Sequence, residues 1–146
     1  MIGAGTAFGQ DTVSLSIAPG GSFGSLMPGI AQDYTTTLAA TATATGTQST
    51  LTVLDRSPVA PGHLVNGDYS LPRALTAKAS SATGTGNAAF APIGGPESPL
   101  TIWSWTAPIA NDPVTITLRQ SIGATDGLRG GDYGKTLEFT LSSVSP

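Results

Sequence analysis

Gly20-Gly21-Ser22-Phe23-Gly24 spells the G-x-S-x-G pattern of a nucleophile elbow. That motif exposes its serine only where a strand leads in and a helix leads out, at the top of an α/β-hydrolase sheet. No helical pattern follows Gly24, and 146 residues are too few for that fold. The sole histidine, His63, leaves no acid–histidine pair well downstream of the serine. Ser22 therefore reads as a hydroxyl satisfying backbone groups in a glycine-rich turn. His63 stands alone in a chain with no cysteine, so it cannot anchor a zinc site with Cys partners. Asp126 and Asp132 flank Gly127, Gly130 and Gly131, and carboxylates in a glycine-rich loop suit calcium. Their spacing matches neither the EF-hand nor the RTX nonapeptide, and Arg129 between them is an ionic partner for either. No catalytic residue, metal site or cofactor is expected.

Other residues suggest binding. Trp103 and Trp105 fall on one side of a strand, where indoles either fill a sandwich core or stack on sugar rings. With Tyr69 and Tyr133 they form the candidate glycan platform. Thr41, Thr43, Thr45 and Thr47 make a row of hydroxyls and methyls like that of an ice-binding face, with Thr50 and Thr52 as a second row. A twisted sheet is a poor flat lattice for that purpose. Lys78 and Lys135, the two lysines, raise an intramolecular isopeptide bond, which requires a buried lysine beside Asn or Asp and a catalytic acid. Ile2 and Phe8 lie in a small, glycine-rich N-terminal arm and are the candidate assembly residues, able to add to a neighbour's sheet edge.

The elements that must position these residues are strands. Leu137, Phe139 and Leu141 alternate with Thr136, Glu138 and Thr140, the period of a half-buried strand. Val13, Leu15 and Ile17 alternate likewise, as do Val114, Ile116 and Leu118. The longest candidate, Tyr34 to Thr45, sets Tyr34, Thr36, Leu38, Ala40, Ala42 and Ala44 on one side. Its β-branched threonines and lack of a 3.6-residue period favour strand over helix. It is expected to form a hairpin with Thr50 to Asp55 through Gly46-Thr47. Asn66-Gly67 marks a second hairpin. Pro108 to Pro113 reads as a turn, and Ser80 to Pro99 as a long Gly/Pro/Ala loop. About eight strands and no helix predict one antiparallel β-sandwich over residues 11–146, preceded by an arm over residues 1–10.

Composition narrows function. Charged residues are 10% of the chain, against about a quarter in an average globular protein. The polar surface is supplied instead by 21 Thr and 15 Ser. Six scattered basic residues and a net charge of −3 provide no stripe for a phosphate backbone, so no nucleic-acid partner is expected. No run of about 18 apolar residues exists, so no membrane span is expected. Met1 to Gln10 lacks a basic n-region and a long apolar h-region, so it does not read as an intact signal peptide.

Several segments together resemble a domain of secreted and cell-surface proteins of actinobacteria. They are Pro61 to Gly67 followed by Ser70-Leu71-Pro72, Asn111 to Thr115, Ser121 to Arg129, the Tyr133 to Ser142 strand, and the opening Ser22 to Gly29. The resemblance covers about Thr12 to Pro146. More distantly, the opening and the ending are similar to WxL surface domains, which associate with peptidoglycan. The paired Trp-x-Leu motifs of that family are missing, since Trp103 is followed by Ser104-Trp105. The resemblance implies an exported, extracellular or cell-surface β-sandwich without catalysis. The expected function is a structural or adhesive module whose partners are further copies of itself or cell-envelope components. The alternatives are a carbohydrate-binding module using Trp103 and Trp105, and ice binding through the Thr-rich strand.

Overall fold

The computed structural model describes residues 12–18 and 21–144. The arm with Ile2 and Phe8 lies outside them. The described residues form an all-β fold of ten strands: β1 (Val13–Ile17), β2 (Gln32–Ala44), β3 (Gln48–Leu54), β4 (Val65–Asn66), β5 (Tyr69–Ser70), β6 (Thr76–Ser81), β7 (Ala91–Pro92), β8 (Leu100–Trp105), β9 (Ile109–Ile122) and β10 (Glu138–Val144). One sheet has the order β1-β2-β9-β6-β7, a second β10-β3-β8, and β4-β5 is a small hairpin. Every pairing is antiparallel. No helix of the described residues is long and apolar enough to cross a membrane.

The two larger sheets share one core. Ala40, Ala42 and Ala44 of β2, Val114, Ile116 and Leu118 of β9, and Ala77 and Ala79 of β6 meet Leu51 and Val53 of β3, Ile102 and Trp105 of β8, and Leu141 of β10. The period-two patterns of β9 and β10 place these side chains inward, as their alternation requires. Alanine on β2 leaves room for the larger residues opposite. Across the layers β1 lies against β10 at one side and β6 against β8 at the other.

Three expectations are corrected. β2 and β3 do not pair as a hairpin; the link Thr45–Thr47 carries the chain from one sheet to the other. Its backbone donors find different partners: Thr45 N–H donates to Thr12 O at 3.1 Å, and Thr47 N–H to Val144 O at 3.0 Å. A change of sheet needs no special turn residue, so composition does not distinguish it from a hairpin. Pro108 to Pro113 is no turn beyond its start, because β9 runs through it from Ile109. Asn111, at φ 51°, accommodates a register shift opposite Ala42 and Ala44, with its N–H on Thr43 Oγ1 at 2.9 Å. Pro113 is tolerated because β6 pairing with β9 ends at Val114. The Ser80–Pro99 stretch is not a bare loop: it finishes β6, contains β7, and bridges Thr85 to Ser104. The Asn66-Gly67 hairpin forms as expected, with Asn66 opposite Tyr69 and Gly67 at φ 62°.

Candidate functional site

The four candidate ligand aromatics do not converge. Trp105 pairs with Ser49, near the β2–β3 link. Tyr133 precedes β10, whose first residue, Glu138, pairs with Leu54 at the far end of β3. Trp105 is 2% exposed, and its Nε1–H donates to Asp112 Oδ2 at 2.9 Å. That carboxylate also accepts from Ser81 and Thr83 hydroxyls, so Asp112 of β9 holds the end of its neighbour β6 and, across the layers, β8. Trp103 is half-buried, with Nε1–H donating to Thr83 O at 2.8 Å. Gly84 and Gly86 lie against the indoles; a Cβ on Gly86 would stand 2.2 Å from the Trp103 ring. The pair is therefore not an open stacking platform, because Trp105 has no face left for a sugar.

Tyr69 and Tyr133 do meet, edge to face, with centroids 6.2 Å apart and planes at 69°. Their hydroxyls hold the chain between Asp126 and Gly134. Tyr69 donates to Gly127 O, and Tyr133 accepts from Arg129 N–H at 2.7 Å and donates to Arg129 O at 3.0 Å. The Arg129 guanidinium lies over the Tyr69 ring, 5.5 Å from its centroid. Beside Tyr133 opens a cavity of about 740 Å³, lined among others by Phe23, Leu128, Arg129, Asp132 and Leu137. Asp126 is engaged elsewhere: it accepts from Gly123 N–H at 2.7 Å and Arg73 Nε at 2.8 Å. These bonds, the Gly123 N–H foremost, hold its carboxyl below the usual range. Among the described residues no group of three His, Cys, Asp or Glu is placed to hold a metal.

Ser22 Oγ accepts the Gly24 N–H at 3.2 Å, a local turn. The His63 ring is bound by Nδ1 to Leu71 O at 2.7 Å, which fixes the protonated nitrogen as Nδ1 when the ring is neutral. The threonine rows are also rearranged. Thr35, Thr37 and Thr41 face outward on β2, and the neighbouring row comes from β9, with Thr37 opposite Thr117. Thr45 and Thr47 sit in the inter-sheet link, while Thr50 and Thr52 belong to the other sheet, so they add no second row.

Lys135 is the buried lysine. Its side chain is 4% exposed, and Nζ lies 2.8 Å from Asp55 Oδ2, itself 0% exposed. Nζ also donates to Val59 O, Ala60 O and His63 O at 2.7, 2.8 and 3.0 Å. Asp55 accepts further from Ser57 N–H and Gly62 N–H. Burial alone pushes this carboxyl up; the Lys135 bond, the two N–H donors and the ammonium charge outweigh it, so its pKa lies below the ordinary value. Four oxygens surround Nζ, and an ionised acid is a poor electrophile. The contact is a salt bridge that ties the lead into β10 to the Asp55–His63 loop. Sequence reasoning missed Asp55, whose only signal is its place where a strand ends before Arg56-Ser57-Pro58.

The sheet edges differ from one side to the other. At the β7/β8 side the edges are blocked. β7 is two residues long and ends in Pro92, which has no N–H to offer. β8 carries a register shift against β3 and is closed by Thr85, which exchanges two hydrogen bonds with Ser104 at 2.7 and 2.8 Å. Bulges, prolines and short strands are the usual protection of an exposed edge. Among the described residues, neither β1 nor β10 carries a bulge or a proline. β1 reads Val-Ser-Leu-Ser-Ile with no charge, and the one charge of β10, Glu138, is paired with Arg56 at 2.8 Å. Apolar side chains are incompletely covered on that side. Val13 is 42% exposed, and Leu15, Ile17 and Phe139 are only half-buried beside the buried Leu141; at the other side Leu100 and Trp103 of β8 are half-buried too, while Ala77, Ala79, Ile102 and Trp105 are buried.

The chain matches no protein-family model, and searches of the curated proteins and of the solved structures give no match.

Proposed function

We propose that this protein is a non-enzymatic structural or adhesive module that self-associates by strand addition at its β1/β10 side. The observation that carries this is the asymmetry of the edges among the described residues: one side is blocked by proline, a bulge and the Thr85–Ser104 bridge, the other is unblocked and apolar. An unprotected edge is a template for another strand. A placement outside the cell, as an exported surface domain, is supported by the resemblance to actinobacterial surface domains and by the hydroxyl-rich, weakly charged composition. In one version the strand added is the arm over residues 1–10, carrying Ile2 and Phe8. Sedimentation velocity over a concentration series tests the reading. Association that is lost on Leu15→Lys, which sets a charge on the open side, supports it; monomers at every concentration overturn it.

A further inference from the structure

The open side has a geometry that selects its occupant. On β10, Val144 O accepts from Thr47 and Thr140 O from Thr52 Oγ1, so even-numbered residues turn their backbone toward β3. Backbone groups in an antiparallel ladder alternate sides. Phe139, Leu141 and Ser143 therefore present N–H and C=O outward. On β1, Thr12 O accepts from Thr45 and Ala18 N–H donates to Ala39 O, again even-numbered. Val13, Leu15 and Ile17 face outward. Each edge is thus centred on a leucine with its backbone groups turned away from the sheet.

The two centres stand at similar height. Leu15 pairs with Ala42, two residues before the end of β2, and Leu141 pairs with Leu51, three residues past the start of β3. At about 3.4 Å per residue, both lie about 7–10 Å from the β2–β3 link. Because β1 lies against β10, one two-fold axis normal to the layers can pass beside both leucines.

Resting on the reading above, we propose that the occupant is a second copy of this chain, docked about that axis. Leu141 then pairs with its symmetry mate in β10, and Leu15 with its mate in β1. A two-fold interface uses one patch on both partners, and antiparallel pairing about such an axis matches a residue with itself. Three outward residues on each strand give about twelve inter-chain hydrogen bonds, near the count of a standard interface. Charge agrees: the axis sets Glu138 of one copy beside the uncharged Val144 end of the other, so no like charges face. The half-buried Leu15, Ile17 and Phe139 and the exposed Val13 are covered by the same residues of the mate. The product is one continuous pair of layers, six strands over ten.

Thr140 and Ser142 provide the test, because both are exposed on β10. Pairing at Leu141 sets Thr140 opposite Ser142 of the mate in a non-hydrogen-bonded pair, about 4.5 Å between Cα atoms, within disulfide reach. The chain has no cysteine to interfere. Full-length Thr140→Cys and Ser142→Cys proteins, mixed under mild oxidation, are expected to form a disulfide-linked mixed dimer, with each alone cross-linking at least about tenfold less. Ser143→Pro removes an outward N–H and should weaken the dimer at least about tenfold. Removal of residues 1–10 should leave it intact. Association that is lost with the arm and gives no mixed disulfide overturns the two-fold proposal while sparing strand addition. A chain that never associates overturns both.

Discussion

Lys135→Met isolates what the buried ion pair does. The substitution keeps a long apolar stem and removes the ammonium from beside Asp55, a carboxylate with no solvent exposure. Asp55 keeps the Ser57 and Gly62 N–H donors but loses its counter-charge. Val59, Ala60 and His63 lose the donor that gathers their carbonyls. Breaking one partner of a buried pair costs about 3–5 kcal/mol, because the remaining charge stays desolvated. At about 3 °C per kcal/mol for a chain of this size, Tm falls by about 10–15 °C. Urea melts of the wild type, Lys135→Met, Asp55→Asn and the double variant complete the cycle. The double variant removes the stranded charge and is expected to recover about 1–2 kcal/mol relative to Lys135→Met. A loss below about 1 kcal/mol in Lys135→Met would refute the reasoning, since that is the range of an exposed pair.

The same pair sets an acid limit. The folded pKa of Asp55 is depressed, so its contribution is complete above the unfolded value of about 3.9 and is lost as pH falls through the folded value. Acid melts should therefore show the wild type losing stability below about pH 4, with Asp55→Asn losing less over that window. Intact mass under denaturing conditions should equal the sequence mass; a deficit of one water would mean that Lys135 and Asp55 have condensed, against the ammonium cage described above. In Trp103→Phe the remaining indole is Trp105, and iodide should leave its fluorescence unquenched; quenching would place Trp105 at the surface. Gly62→Ala should cost at least about 2 kcal/mol, since Gly62 sits at φ 83° with Ile93 O only 2.0 Å from where a Cβ would go. A neutral result in a denaturation curve would contradict that packing.

Legibility followed the range of the interactions. Strands β1, β9 and β10 could be read because alternation is a local property, fixed residue by residue by which face meets the core. The Asn66-Gly67 hairpin could be read because Gly67 must adopt a positive φ there. The link at Thr45–Thr47 could not, because whether two consecutive strands pair or change sheet depends on where β1 and β10 lie. Pro113 pointed to a turn, and only the end of β6 makes it acceptable in a strand. The site suffered more. Trp105 carried a fair signal for either core or platform, and Asp112 decided between them from another sheet. Lys135 stood out as one of two lysines, but its partner Asp55 is 80 residues away in sequence and no pattern joins them. The unequal edges emerge only from strand order.

Amide hydrogen exchange at low and high protein concentration tests self-association at the β1/β10 side most directly. The amides of Val13, Leu15, Ile17, Phe139, Leu141 and Ser143 are expected to exchange more slowly as concentration rises, while those facing β2 and β3 change little. Exchange at these six positions that is indifferent to concentration would contradict it.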